Sequence, residues 1–508
     1  MNGKRLSINL VSNLIQFATS LIISFFFTPY FVSKVGEVGY SFYSMACTCI
    51  SYFTVITTAV TSMASRYITI AYHKGDKETV KKYYSSVFYS VFGISILFSV
   101  IVVLCVLHID SLLEVPPELL KSVQILFLLV LFSGLFTTVC SVFSSTVFCL
   151  DRLDLKAVAL IFVSVVRVVV LFVLFYLFKA DIVYLGISYS ASVVFEALFY
   201  VLSTKKLMPE IKIKPKFFRK KLVKELIGVG VWNSVNQVNT ILIIGLDVLM
   251  ANVLVSPVLA GALSISKTIP NQLISFIIVV ANVFLPSLTI AYAHTDKNKM
   301  TDVFKTSFDL LGFGSSIVIA GFFACGKTFF ALWMPTVETN VLYWTAVLGI
   351  LPMVSNASTQ CMGNSALLAA KMKLPVLVTL GRGILGIVIV YILTKTTSYG
   401  VYAIAGVSSV LTVIYEFAFS VPHSSYCIGV KKWFFYKNKL KFVLNVAMLT
   451  VLFSIIVKIV TPEDWLGLII VVGICAIFGV ICNVFFYFNK DSRKQIINKV
   501  KQVIKNKN

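Results

Sequence analysis

Apolar stretches of about twenty residues or more recur along the whole chain, and that is the length a hydrocarbon core of about 30 Å demands of a spanning helix. They fall at about 10–33, 39–65, 85–107, 122–149, 157–178, 182–203, 226–250, 259–291, 307–331, 341–370, 376–394, 400–421, 442–460 and 466–488. Within lipid a backbone must satisfy its own polar groups, so runs of this length read as helices. The expectation is an all-α integral membrane protein with about fourteen transmembrane helices. Composition agrees: 58% apolar residues, 13% charged, and 42 Phe against 21 acidic residues leave too little charge to cover a water-soluble surface.

The formal charge of +23 would suit a nucleic-acid binder only if Lys and Arg shared one wet face. Instead they sit in short clusters between the apolar runs, so no nucleic-acid partner is expected. An even number of spans puts both termini on one side, and the Lys/Arg bias of the short loops says which. With both termini cytoplasmic, 35 of the 44 Lys and Arg fall in inner segments and four (Lys34, Lys121, Lys179, Lys395) in outer loops. The remaining five lie within spans or near their ends. The longest inner connection, 204–225, is strongly basic and too short for a catalytic domain. It reads as a linker, an amphipathic segment on anionic headgroups or a solvated positive loop.

The ten cysteines lie almost entirely inside apolar runs without metal-ligand spacing, and His73, His108, His294 and His423 lie outside the spans or at their edges. No metal, cofactor or catalytic residue is expected. Lys4 and Arg5 precede a long apolar run without a cleavage-like site, which reads as a retained first span. Residues 321–328, GFFACGKT, satisfy the phosphate-loop pattern. They close a span at the outer face, where no strand and helix can flank a nucleotide. The pattern is therefore read as accidental.

An internal repeat organises the chain. TIAY stands at 69–72 and again at 289–292, each soon followed by Asp-Lys, at an offset of 220. At that offset Asn13 meets Asn233, and VVFEALF at 193–199 meets VIYEFAF at 413–419, so Glu196 coincides with Glu416. With a five-residue slip Arg167 coincides with Arg382. A unit of six spans is even, so both copies enter the membrane the same way, related by an axis along its normal. The expected organisation is an N-lobe at 1–203, the basic linker at 204–225, a C-lobe at 226–421, an unpartnered hairpin at 442–488 and a basic cytoplasmic tail at 489–508.

Two features within the spans carry chemistry. The first is a polar stripe in each copy: Asn9, Asn13, Gln16, Ser20 and Ser24 in the first span, and Asn233, Asn236 or Gln237, Thr240 and Asp247 in the seventh. Such a row shares one helix face, which must meet another helix or water rather than lipid. The second is a set of six charges, Arg167, Glu196, Asp247, Lys267, Arg382 and Glu416, which must pair or be hydrated. Arg167 and Glu196 lie at comparable depths of adjacent spans, as do Arg382 and Glu416, so each lobe has room for one Arg/Glu pair. Such a pair serves either structure or the binding of substrate or a coupling ion. Asp247 and Lys267 offer a third pair, and Pro270 frees a carbonyl next to it. Arg66, at the inner end of the second span, reads either as a phosphate contact or as a snorkelling anchor. The six charges balance in sign and do not by themselves specify an anionic cargo.

The stretch NLVSNLIQFATSLIISFFFTPYFVSKVGEVGYSFYSM, the second span ending SMASRYITIAYHKGD, and LDVLMANVLVSPVLAGALSISKTIPNQLISF with FLPSLTIAYAHTDK resemble the bacterial polysaccharide flippases. These are the Wzx-type branch of the multidrug/oligosaccharidyl-lipid/polysaccharide exporter (MOP) superfamily. The likeness runs to about residue 421. It implies two MATE-like six-helix lobes around a cavity lined by spans one, two, seven and eight, in the bacterial cytoplasmic membrane. It implies movement of an undecaprenyl-pyrophosphate-linked oligosaccharide to the outer leaflet, driven by an H+ or Na+ gradient. Partners in such a pathway are the lipid-linked oligosaccharide, membrane lipids, and a polymerase and glycosyltransferases. The rival readings are a cation-coupled multidrug exporter, against which the extra hairpin speaks, a flippase for the peptidoglycan precursor, and a membrane-embedded glycosyltransferase or polymerase. The last should carry a large outer loop or a wet catalytic acid or base, and the outer loops here are short.

Overall fold

The computed structural model describes residues 3–150, 152–293, 297–369 and 371–488; the basic tail at 489–508, His294 and Asp296 lie outside these. Among the described residues every regular element is helical. The chain divides into two compact units, the first formed by residues 1–265 with 383–387 and 394–400, the second by the rest.

The first unit contains α1 (Gly3–His73), α2 (Lys77–Leu107), α3 (Leu120–Cys140), α4 (Leu153–Leu177), α5 (Val183–Leu207), α6 (Lys220–Thr240), α7 (Asp247–Leu254) and most of α8 (Pro257–Ser266). At 1.5 Å per residue the 71 residues of α1 would run about 105 Å, more than three bilayer cores. Gly36 divides it, with φ 75° and ψ 166°, a backbone state open to glycine because it lacks a Cβ. The two arms are the expected spans at 10–33 and 39–65. The second arm packs on α6 so closely that a Cβ on Gly230 would stand 2.0 Å from the Ala59 carbonyl oxygen. One turn further along, Ser234 Oγ donates to the Val55 carbonyl at 2.5 Å. Around the turn between α1 and α2, Val60, Ala64, Ile68, Val80, Tyr84 and Leu226 form a core. Beside it a hydroxyl chain joins Tyr84, Thr146 and Thr204 at 2.6 and 2.9 Å.

The second unit contains α9 (Thr268–Asn282), α10 (Leu285–Ala293), α11 (Lys297–Trp333), α12 (Thr339–Asn356), most of α13 (Lys373–Thr396), α14 (Val401–Tyr415), α15 (Val421–Ile428), α16 (Lys432–Val460) and α17 (Trp465–Cys482). Its core gathers Ile277, Leu288, Phe304, Phe308, Phe435 and Phe442. The C-terminal hairpin, α16 and α17, is fastened to α11 by buried amides. Asn445 donates to Asn483 at 2.8 Å, and Asn483 donates to Ser316 and to the Phe313 carbonyl, both at 2.9 Å. Gly312 leaves room for the Tyr487 ring, which would otherwise collide with a Cβ.

Among the described residues eleven helices are long and apolar enough to cross a membrane. Thr339–Asn356 with Gln360–Leu368, bent by 70°, makes a twelfth. The expected count of about fourteen differs at two places. The two arms of α1, divided only by the kink at Gly36, count as one long element, and the expected span at 226–250 is interrupted by a π-turn at Ile241–Gly245 within a segment rich in Asn and Gln. TIAY ends a helix in both copies, α1 and α10. The second glutamate motif differs from the first: Glu196 lies in a continuous α-helix, whereas Glu416 opens a π-turn at Glu416–Ser420.

Within the expected linker at 204–225, residues 208–219 are irregular apart from a short 3-10 turn at Pro215–Phe217, with Ile211 and Ile213 packed against the core formed by Val80, Tyr84 and Leu226.

Candidate functional site

The polar stripe of the seventh span sorts by face. Ser234 and Asn239 are buried, whereas Asn233, Asn236 and Thr240 are exposed and Gln237 is half-buried. Positions 233, 236 and 240 lie on one side of α6. Thr240 Oγ1 donates back to the Asn236 carbonyl at 3.2 Å. Within hydrocarbon, exposed carboxamides would lack hydrogen-bond partners, so a face of this kind is suited to water or polar groups. In the first span, half-buried Gln16 donates to Ser20 Oγ at 3.0 Å, which keeps that stripe on one face. The side chain of Asn13 lies outside the described ones.

Arg167 of α4 is half-buried, its guanidinium carbon 4.9 Å from the centre of the Tyr189 ring on α5. Tyr43 and Cys47, from the second arm of α1, and Glu196 of α5 complete its electrostatic surroundings. Its Nε is buried without a hydrogen-bond partner among the described residues. A buried cationic N–H left without an acceptor is costly. A polar ligand or water at this point would relieve that cost. Glu196 in turn feels Arg167 and Lys156.

Arg382 of α13 repeats the arrangement in the second unit, 4.8 Å from the Tyr415 ring on α14. The tyrosines do not occupy equivalent positions of the two copies, so the two cation–π contacts are the same chemistry reached from different places. The expected Arg382/Glu416 pairing needs correction. Arg382 feels Glu416, but the carboxylate itself is held by Lys439 of α16 at 2.9 Å. Lys439 is 0% exposed and also donates to the Ser355 carbonyl at 2.8 Å. Expected among the cytoplasmic charges, Lys439 is instead buried in α16. The missed signal was its place in KWFFYKNKLKFVLNV, where aromatic and aliphatic residues flank it at helical spacing and α16 begins ten residues before the expected span.

Of the three π-turns among the described residues, those at Ile241–Gly245 and Glu416–Ser420 are supported alike. Tyr52 Oη donates to the Gly245 carbonyl at 3.0 Å, and Tyr436 Oη to the Phe417 carbonyl at 2.7 Å. A π-turn displaces carbonyls from the i→i+4 ladder, and a neighbouring phenol meets one of them. Asp247 opens α7 just after the first of these turns, and Lys267 sits at the break between α8 and α9, with Pro270 buried in the next turn. Arg66 is exposed near the C-terminal end of α1. Residues 321–328 are continuous helix within α11, not the strand-loop-helix a phosphate loop needs. Among the described residues no group of three or more His, Cys, Asp or Glu is arranged to hold a metal ion.

Three comparisons bear on this geometry. The family described as "Polysaccharide biosynthesis protein" matches residues 6–291, more than half of the chain. A Bacillus subtilis (strain 168) protein described as "Uncharacterized membrane protein EpsK" is 25% identical over 444 residues, spanning 85% of this chain and 86% of that one. Among solved structures, the lipid II flippase MurJ in an inward closed conformation is similar with TM-score 0.68 and 16% identity, covering 92% of this chain and 97% of that one. An inward-facing multidrug resistance MATE family transporter of the MOP superfamily is similar with TM-score 0.66 and 14% identity, covering 83% of this chain and 98% of that one.

Proposed function

We propose that this chain, which belongs to the polysaccharide biosynthesis protein family, is an alternating-access flippase carrying undecaprenyl-pyrophosphate-linked oligosaccharide units from the inner to the outer leaflet of the bacterial cytoplasmic membrane. The observation that supports this reading is the exposed row of Asn233, Asn236 and Thr240 on α6, at the place of the expected seventh span. It provides a wet surface on which a sugar headgroup can exchange hydrogen bonds while its prenyl chain stays in lipid.

Arg167 and Arg382 add one ring-supported cation to each half. The half-buried guanidinium of Arg167 offers a phosphate oxygen a charged hydrogen-bond donor. Both arginines rest on tyrosine faces, which hold the planar guanidinium without neutralising it. In this reading the chain crosses the membrane fourteen times with both termini cytoplasmic. An H+ or Na+ gradient drives the cycle, and a polymerase and glycosyltransferases act on either side of it.

Deleting the gene tests the reading. The expected result is loss of surface polysaccharide with build-up of the lipid-linked repeat unit in the inner leaflet. Undiminished polysaccharide without build-up refutes it. Arrested cell-wall synthesis instead would favour the peptidoglycan-precursor flippase, a rival supported by the fold shared with MurJ.

A further inference from the structure

The basic connection between α5 and α6 is fixed to the protein by its backbone, and its charges are left outside. Lys214 N–H donates to Ser85 Oγ at 3.3 Å and Arg219 N–H to Ser86 Oγ at 2.9 Å, both hydroxyls being fully buried in α2. Ile211 and Ile213 turn into the core that Val80, Tyr84 and Leu226 share, while Lys212, Lys214, Lys216, Arg219, Lys220 and Lys221 are exposed. Glu210 is engaged by Lys77 at 3.0 Å and offers the lysines little competition.

We infer that residues 211–221 are a docking surface for the phosphate headgroups of anionic lipids in the cytoplasmic leaflet. The inside bias of positive charge calls for Lys and Arg on this side of the membrane. It does not call for a backbone tied to two buried serines with alternate side chains buried and presented. Lys214 has extended geometry, which sets Lys212 and Lys214 roughly 6 to 7 Å apart, and the 3-10 turn at Pro215–Phe217 and the start of α6 carry Lys216, Lys220 and Lys221 further along the chain. Lysines spread along a strip in this way meet several headgroups at once, rather than converging on one diphosphate. The surface is thus distinct from the cargo pathway and independent of which cargo crosses.

Each Lys near an anionic leaflet contributes about 1 kcal/mol, roughly fivefold in affinity. The test is native mass spectrometry of the full-length protein in neutral detergent, titrated with phosphatidylglycerol, phosphatidylcholine or farnesyl diphosphate. The wild type should retain several phosphatidylglycerol molecules in preference to phosphatidylcholine. K212Q/K214Q/K216Q should weaken that retention at least tenfold at unchanged melting temperature, while K431Q/K432Q leaves it unchanged. Lys212→Gln alone, at an exposed position outside any helix, should give a loss of threefold or more and guards against misfolding of the triple variant. Phosphatidylglycerol retention unaltered in both variants overturns the inference. So does one-to-one binding of farnesyl diphosphate that displaces phosphatidylglycerol and depends on the same lysines.

Discussion

Removing either partner of the Lys439–Glu416 pair should destabilise the second unit by an amount the geometry orders in advance. Lys439 is 0% exposed, and Glu416 is held 2.9 Å from it with 14% of its side chain exposed. Breaking a buried ion pair from one side costs about 3–5 kcal/mol, because the other charge is left uncompensated. Glu416→Leu should lie at the upper end. It leaves an ammonium with only the Ser355 carbonyl as acceptor and no route to water. Lys439→Met should lie at the lower end, since the carboxylate keeps Arg382 in its electrostatic surroundings and some contact with solvent. The double variant Glu416→Leu/Lys439→Met removes both charges and should be no less stable than Glu416→Leu alone. Independent effects would instead sum to about 6–10 kcal/mol. The assay is the fraction of monodisperse protein left after graded heating or denaturant exposure in detergent, read by size-exclusion chromatography. Equal losses in the two single variants that add in the double variant would refute the pairing argument.

Gly230→Ala should loosen α6 from α1 by about 1–3 kcal/mol, since the new Cβ would meet the Ala59 carbonyl oxygen of the backbone at 2.0 Å; an unchanged heat profile in detergent would count against that close approach. Asp76 caps α2 by accepting from Thr79 N–H, which holds its carboxyl below the ordinary carboxylate range. A depressed folded value means that the cap contributes fully above the unfolded Asp value near 4 and is lost as pH falls through the lower, folded one. Hydrogen exchange of amides 77–80, corrected for intrinsic rates, should quicken across that window and be quick at all pH values in Asp76→Ala. Arg167→Lys should fold normally yet lower polysaccharide export at least tenfold, because the guanidinium contact with the Tyr189 ring is lost while the charge is kept; full complementation of a deletion strain would contradict this.

Much of the architecture was legible because lipid removes choices. Runs of about twenty apolar residues had to be helices. Period and polarity also located the stripe on α6, and the structure divides that stripe into a buried face at Ser234 and Asn239 and an exposed face at Asn233, Asn236 and Thr240. What could not be read were partners brought by other elements. Tyr189 and Tyr415 gave no sign of supporting arginines, because aromatic residues are common in these spans and the contact is set by how two helices rotate against each other. Lys439 was mistaken for a loop charge because a lysine near the end of an apolar run resembles a snorkelling anchor. The π-turns at 241–245 and 416–420 leave no pattern in the sequence either, since they depend on a phenol from a neighbouring helix meeting a displaced carbonyl. The two halves thus carry matching motifs and settle their charges differently.

The most direct measurement is flipping itself. Purified protein in sealed vesicles, with a fluorescent prenyl-diphosphate-linked oligosaccharide in both leaflets, is treated from outside with an enzyme that cleaves the exposed sugar. With the protein present, cleavage should pass the outer-leaflet half and approach completion, and Arg167→Gln should slow it at least tenfold. Cleavage that halts at half with active, folded protein would contradict the account.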